Sequence, residues 1–446
     1  MESLLDDEIR ECLEGVIPVA LATCAADGTP NVTYVSQAHF VDARHIALSY
    51  QFFNKTRENI LLQPRAQLLV VDPGTMVQYR LDVLYLRTEE AGPIFERMRT
   101  NLDAVASQTG MSGVFRLRGA DIYRVLRIEA LAHDLDLSEP QAPPDLVGAL
   151  ATLSDRLAAC DELDALLDTL LDGLAELFDH RASMILLADE AGARLYTVAS
   201  RGFASSGVGA EIAVGEGLIG TAALHRQPVR TVNLRRDLIM AQAVRSTALA
   251  QGQSVVASRE IPLPGLPDML SQLAVPILAR DRLLGVLCVQ SAEAGRLTPV
   301  DEQVLGTLAR YLATSMLLVQ SSAAEPAAGR SYERRPAAGP TLRARHHASD
   351  DSIFLDDEYL IKGLPGRILL RVLDVYQRDG RVDFSNKELR VDADLHLPGY
   401  RDNLEARLIL LRRRLEERTD ALRLEKTGRG RFRLALARPL ELVRAR

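Results

Sequence analysis

Near the end of the chain Leu404, Leu408, Leu411 and Leu415 recur at a 4-3-4 spacing, which places them on one face of a helix. Asp402 and Asn403 stand where a helix start favours short polar side chains, and Glu405 suits the positive end of the helix dipole. Asn403, Arg407 and Arg414 are rotated away from the leucine stripe, with Arg412 and Arg413 on its flanks. Two short alternating runs follow, 422–426 and 431–435, joined by Thr427-Gly428-Arg429-Gly430. They predict a hairpin with cations and glycines at its tip. A leucine-anchored helix followed by a cationic hairpin suits a duplex, with the helix in the major groove and the hairpin on the backbone.

The earlier chain alternates with both periods. Residues 3–13 predict a short amphipathic helix, and 19–24, 31–40, 45–50, 66–71 and 77–87 read as strands. Helices are expected at 54–62 and 91–100, so this part predicts a small closed or split barrel. Residues 134–145 are acidic, proline-rich and aperiodic, as a linker is. One long helix is expected over 146–178, with leucines at 163, 166, 167, 170, 171, 174 and 177. That stripe serves either the core of its own domain or a dimer-forming helix. Runs 182–189, 195–201, 273–277 and 283–290 read as strands, and 298–319 as a helix. From 321 to 349 the chain is rich in Ala, Pro, Gly, Ser and Arg without period, which predicts a flexible tether.

Charge sharpens the reading of the tail. Residues 401–446 hold 14 Lys/Arg against 7 Asp/Glu, while the whole chain carries a net charge of −7. Positive potential gathered in the last tenth of the molecule is the footprint that phosphates require. The 47% apolar and 25% charged fractions are those of ordinary globular protein. Cys12, Cys24, Cys160 and Cys288 occur singly, which supports neither a zinc ribbon nor a disulfide framework. No run approaches a membrane span and the first residues are acidic, so a cytoplasmic protein is expected.

Three stretches resemble known families. Residues 353–434 look like the winged-helix output domain of bacterial response regulators, on the strength of Leu411-Arg412-Arg413-Arg414-Leu415-Glu416 in the helix. The turn at 428–434 has one residue more than that family's usual wing. The resemblance implies base contacts from Asn403 and Arg407, with Arg401, Arg412, Arg413, Lys426, Arg429 and Arg431 completing the DNA-binding surface. No phosphoacceptor domain precedes it, so the signal must enter elsewhere.

The run from Ser49 through Lys55-Thr56-Arg57-Glu58-Asn59 to Pro64-Arg65-Ala66 resembles flavin-binding split barrels of the pyridoxamine 5′-phosphate oxidase type, over about residues 13–128. That likeness implies FMN, with haem or deazaflavin as the other cofactors of such barrels. Its phosphate would lie on Lys55 and Thr56 and its ring along 32–36 and Gln78. Thr33, Val35, Ser36, Ser49 and Asn59 complete the implied cofactor contacts. No catalytic residue is assigned.

Gly215-Glu216-Gly217-Leu218-Ile219-Gly220, Ala274-Val275-Pro276-Ile277 and Leu284-Gly285-Val286-Leu287 resemble a GAF sensor domain over about 153–318. The family's cyclic-nucleotide signature is missing, and segment 235–269 reads either as a ligand lid over the pocket or as a disordered stretch.

The expected architecture is therefore multidomain α+β: a split β-barrel (1–133), a linker (134–145), a GAF α/β sandwich (146–320), a flexible linker (321–350) and a winged helix-turn-helix (351–446). The expected function is a homodimeric, non-enzymatic, one-component transcriptional regulator. It would sense a small molecule or redox state and bind double-stranded DNA, with no membrane partner. The alternatives are an FMN-dependent oxidase or reductase with regulatory domains, and a scaffold whose tail binds protein. Arg407 and its companions turned inward onto the protein's own carboxylates, leaving no groove-sized positive surface, would overturn the regulator reading.

Overall fold

The computed structural model describes residues 5–15, 17–35, 37–50, 55–72, 76–108, 116–131, 145–189, 191–234, 262–321, 339–395 and 404–445. The chain opens with helix α1 (Asp7–Glu14), which Asp6 caps by accepting the Ile9 N–H at 3.0 Å. Seven strands follow: β1 (Val19–Cys24), β2 (Pro30–Val35), β3 (Ala38–Asp42), β4 (His45–Tyr50), β5 (Arg65–Val71), β6 (Gln78–Glu89) and β7 (Gly119–Leu131). They form one antiparallel sheet ordered β2-β1-β5-β6-β7-β4-β3 around Leu21, Ile46, Leu68, Leu81, Val83 and Tyr123. The single strand expected over 31–40 is two strands, β2 and β3. Helix α2 (Lys55–Leu62) packs on β1 and β2, while helix α3 (Pro93–Gln108) reaches beyond the barrel.

The helix expected over 146–178 is also two. Helix α4 (Leu146–Ala158) is capped by Asp145, whose carboxylate accepts the Gly148 N–H at 2.8 Å. Helix α5 (Leu163–Phe178) packs against it. Leu163, Leu166, Leu167, Leu170, Leu171 and Leu174 are fully buried with Leu273, Leu287, Leu305 and Leu312. The leucine stripe is thus the core of its own domain. Strands β8 (Ala182–Ala188), β9 (Arg194–Arg201), β10 (Glu211–Ala213), β11 (Val229–Thr231), β12 (Ser271–Ala279) and β13 (Arg282–Ser291) form a sheet ordered β10-β9-β8-β13-β12-β11. Helix α6 (Gly217–His225) covers one face of it, and helix α7 (Pro299–Ser321) packs with α4 and α5 on the other. Close approach explains one glycine within α6: a Cβ at Gly220 would lie 2.3 Å from the Ala213 carbonyl oxygen.

The first two units share a wall. Ala104 of α3 is buried among Leu218, Ile219 and Ala222 of α6. Ser107 accepts the Gly217 N–H at 2.7 Å and donates to the Gly215 carbonyl at 3.0 Å, so the barrel's helix caps α6. Behind it Glu14 is buried beside Arg230 at 2.9 Å, His39 at 3.5 Å and Arg97 at 4.0 Å. Burial opposes the Glu14 charge. His39 and the two guanidiniums nevertheless hold its carboxyl well below the ordinary carboxylate range. Glu302 of α7 closes the network at 2.9 Å from Arg97 and 3.4 Å from Arg230.

The last unit begins earlier than the tether predicts. Strand β14 (Leu342–His347) lies within the stretch expected to be linker up to residue 350. It joins β15 (Ser352–Leu355), β16 (Glu358–Ile361) and β20 (Leu440–Ala445) in a sheet ordered β16-β15-β14-β20, with β20 parallel to β14. Between them run α8 (Gly363–Asp379), β17 (Asp383–Ser385), α9 (Asn386–Val391), a 3-10 turn (Ala393–Leu395), α10 (Leu404–Arg418) and the hairpin β18 (Leu422–Gly428)–β19 (Arg431–Leu436). The hairpin and β17 make a sheet ordered β17-β19-β18. Among the described residues no helix is long and apolar enough to cross a membrane.

Candidate functional site

The residues expected to hold a flavin divide into two groups. On β2, Asn31, Thr33 and Val35 share one face, while Val32 and Tyr34 point outward, 69% and 75% exposed. At the start of α2, Thr56 accepts the Asn31 amide at 2.9 Å; the same amide donates to Thr23 at 3.2 Å, and Asn59 donates to Thr23 at 3.1 Å. Lys55 lies beside them, half-exposed, with Glu58 at 3.7 Å. Asn59 is 1% exposed, and its Oδ1 has no donor among the described residues. An exposed ammonium, a hydroxyl and a helix start fit a phosphate, and a buried acceptor without a donor fits a hydroxyl next to it. Those positions fit FMN at its phosphate end.

The remaining candidates lie elsewhere. Ser49 accepts the Gln37 N–H at 3.2 Å, while Thr33 donates weakly to the Tyr34 carbonyl at 3.4 Å and Val35 packs against the barrel core. Gln78 is exposed at the first position of β6, opposite Val71 and Leu131. Ala22, next to Thr23, is level with Gln67 and Asp82, so Gln78 stands four residues from that level along β6, roughly 14 Å. It does not join the Lys55 cluster. Ser36 lies outside the described residues. Thr23 and Asn31 were missed because small polar residues on an alternating strand carry no signal of their own.

The cationic tail is arranged differently from the expectation. Leu404, Leu411 and Leu415 of α10 enter the core of their own unit with Leu408 beside them, as the 4-3-4 spacing predicts. The opposite side of the helix is covered too, because Ala406 and Ile409 join the core of the middle unit. Arg412 pairs with Asp164 of α5, and Arg413 reaches Asp164 at 2.5 Å, Asp168 at 3.0 Å and the Val198 carbonyl at 2.9 Å. Glu405, half-buried, accepts from the Leu163 backbone at the start of α5; burial raises its carboxyl and that bond opposes the rise.

Arg407 and Arg414, expected on the outer face, are 8% and 5% exposed. The Arg407 guanidinium lies over the Tyr196 ring of β9, 4.9 Å from its centroid. Arg414 donates to the Leu360 carbonyl at 3.1 Å and pairs with Glu417 at 3.3 Å. These arginines are therefore inside, drawn there by a ring, a carbonyl and a carboxylate that their spacing could not reveal. Lys426 pairs with Glu162, and Arg429 and Arg431 flank Gly430 at the hairpin turn, also engaged. Arg401 and Asn403 lie outside the described residues, as do residues 235–261 of segment 235–269. The acidic partners on α5, Asp164 and Asp168, are the residues that the spacing of the tail gave no sign of.

Two of the four cysteines, Cys288 and Cys12, are buried. Cys288 is fully buried, and burial pushes its thiol up to about 12, against a Gln272 amide donating at 3.3 Å. Cys12 is likewise pushed up to about 12, by burial first and by the charges of Asp72, Glu8 and Glu11 next. Among the described residues there is no group of His, Cys, Asp and Glu able to hold a metal.

Two family models match the chain: pyridoxamine 5′-phosphate oxidase over residues 5–126 and the GAF domain over residues 160–316. The chain carries an oxidase-like barrel domain and a GAF domain. Solved structures are similar to parts of the chain at low identity. The GAF domain of a phosphoenolpyruvate-protein phosphotransferase from Acinetobacter is 22% identical, covering 41% of this chain and 98% of its own, with a TM-score of 0.32. Free methionine-R-sulfoxide reductase from Neisseria meningitidis is 19% identical, covering 41% and 97%, with a TM-score of 0.31. An FMN-binding protein from Syntrophomonas wolfei subsp. wolfei is 17% identical, covering 28% and 85%, with a TM-score of 0.25. These scores are too low to bear on what this chain binds. No curated protein matches it.

Proposed function

We propose that the protein is a one-component regulator in which the oxidase-like barrel and the GAF domain sense a small molecule or redox state and residues 339–445 bind duplex DNA. The observation that carries this reading is the pairing of the β18–β19 hairpin with β17 directly after α10, while Arg412 and Arg413, turned inward onto Asp164 and Asp168, count against it in this closed arrangement. The order helix, strand, helix, helix, hairpin, with the hairpin paired to the strand, supports a winged helix. Against it also stands the cover over α10, since a duplex cannot reach that helix while it is packed on α5 and β9. DNA binding therefore requires α10 to be freed. The same packing favours a second reading, in which α10 is a docking helix and the tail never meets nucleic acid.

Fluorescence anisotropy with a duplex from the gene's own upstream region tests the choice. The regulator reading expects a complex whose affinity falls steeply with salt. Loss of that salt-dependent complex, even in a variant with α10 freed, would leave the docking reading. Cofactor binding is tested separately. FMN added to the purified protein is expected to be retained, and Lys55→Ala to weaken it about tenfold, the loss of one charge-assisted phosphate contact. Equal retention by wild type and variant would remove Lys55 from the site. In the bound protein the flavin would supply the redox chemistry; Lys55 and Thr56 would orient its phosphate, and Asn59 would accept from a neighbouring hydroxyl.

A further inference from the structure

We infer that helix α5 of the GAF domain is a built-in competitor of the duplex, holding the tail closed by presenting carboxylates where phosphates would lie; the inference rests on the DNA-binding reading above. Asp164, Asp168 and Asp172 recur at i, i+4 along one side of α5, so they repeat about every 6 Å. One strand of a duplex carries a charge about every 3.4 Å. Asp164 and Asp168 meet the α10 arginines while Asp172 holds Arg201 of β9, so the stripe offers α10 two carboxylates, a sparser set of charges than the backbone it imitates.

The rest of the interface fixes the helix in register. Glu162 takes Lys426 of the hairpin, and Ser206 takes Glu417 at the far end of α10. Tyr196 takes Arg407, and Ala406 with Ile409 gives the contact its apolar centre. Helix and hairpin, the two elements a winged helix lays on DNA, are both engaged by the sensor.

Tethering gives the competitor its strength. A partner on the same chain acts at an effective concentration of about a millimolar. Non-specific duplex binds with dissociation constants of roughly 10⁻⁴ to 10⁻⁶ M and specific sites far more tightly. The closed arrangement therefore screens out bulk DNA and lowers apparent affinity for the true site by the fraction of molecules left open. Asp164 and Asp168 project from the helix whose opposite side, Leu163 to Leu174, is the GAF core. A ligand that repacks that core moves the carboxylates with it.

Asp164→Asn with Asp168→Asn in the full chain tests the proposal. Both side chains are partly exposed, and Arg201, which shares Asp168, keeps Asp172 at 2.9 Å. The variant is expected to bind the upstream duplex about tenfold or more tightly than wild type, within the range of an allosteric coupling. Hydrogen exchange at α10 and β9 should also be faster. Unchanged exchange, or faster exchange with equal DNA affinity, overturns the competitor and leaves DNA binding intact if a salt-dependent complex forms. Faster exchange with no complex from either protein overturns both readings.

Discussion

Glutamine in place of Glu14 is expected to destabilise the joined barrel and GAF domains by about 3 kcal/mol at neutral pH, the lower end for breaking a buried ion pair. Glu14 lies under two guanidiniums, Arg97 and Arg230, beside His39, and its Oε1 also accepts the Phe40 N–H at 3.1 Å. Glutamine keeps an acceptor for Phe40 and loses the charge. Arg230 is then left with Glu302 at 3.4 Å and the Leu297 carbonyl at 3.3 Å, which is why the cost does not reach the top of the range. The sign with pH follows from the depressed carboxyl. Its contribution is complete above the ordinary value of 4.5 and is lost as the pH falls toward the folded-state value. Wild type should therefore weaken on acidification from about pH 5 downward, and Glu14→Gln should be weaker throughout with a flatter profile. Denaturant titrations from neutral pH to about pH 3 measure both quantities. Identical midpoints for the two proteins would show that the network is ornamental.

Leu170→Ala should cost still more, about 4 kcal/mol, in the upper half of the range for leucine truncation in a core. Leu170 has no exposed surface, and Leu166, Leu167, Leu171 and Leu174 around it are equally buried. Three layers meet there: α5, α7 and the strands β12 and β13. A cavity at such a crossing collapses poorly because no single element can move into it. Thermal unfolding should report the loss as a lower Tm, and a change under about 1 kcal/mol would mean the site relaxes freely. The carboxylates on the other side of α5 ride on this core, so the same variant is the natural one in which to look for altered DNA binding.

The distribution of what the sequence revealed has physical causes. The leucines of α5 announced a helix, yet residues 159–162 contain no proline or glycine, so the break before Leu163 left no mark. Strand β14 hides in Leu342-Arg343-Ala344-Arg345-His346-His347, where burial alternates at period two but the inward residues include a small alanine and a histidine. The Lys55–Thr56 start of α2 was legible from its loop; Thr23 and Asn31, which complete that cluster, come from a hairpin more than twenty residues earlier. On α10 the leucine face was readable from spacing alone. Its second face was not, because Arg412 and Arg413 look like solvated charge until Asp164 and Asp168 are brought beside them. Sequence reports how a helix is divided into faces, whereas the partner of a charged face is set by tertiary structure from 245 to 249 residues away.

Ser107 has a bearing on how such proteins are assembled from modules. A serine hydroxyl from the oxidase-like barrel completes the first turn of a GAF helix, and Ala104 and the Glu14 network join the same two modules, so their border cannot be cut as a linker can. Any ancestor or chimaera that exchanges the barrel inherits an unfinished GAF domain unless the newcomer brings a hydroxyl to that spot. Removal of the barrel is therefore expected to leave the first turn of α6 without its Ser107 cap.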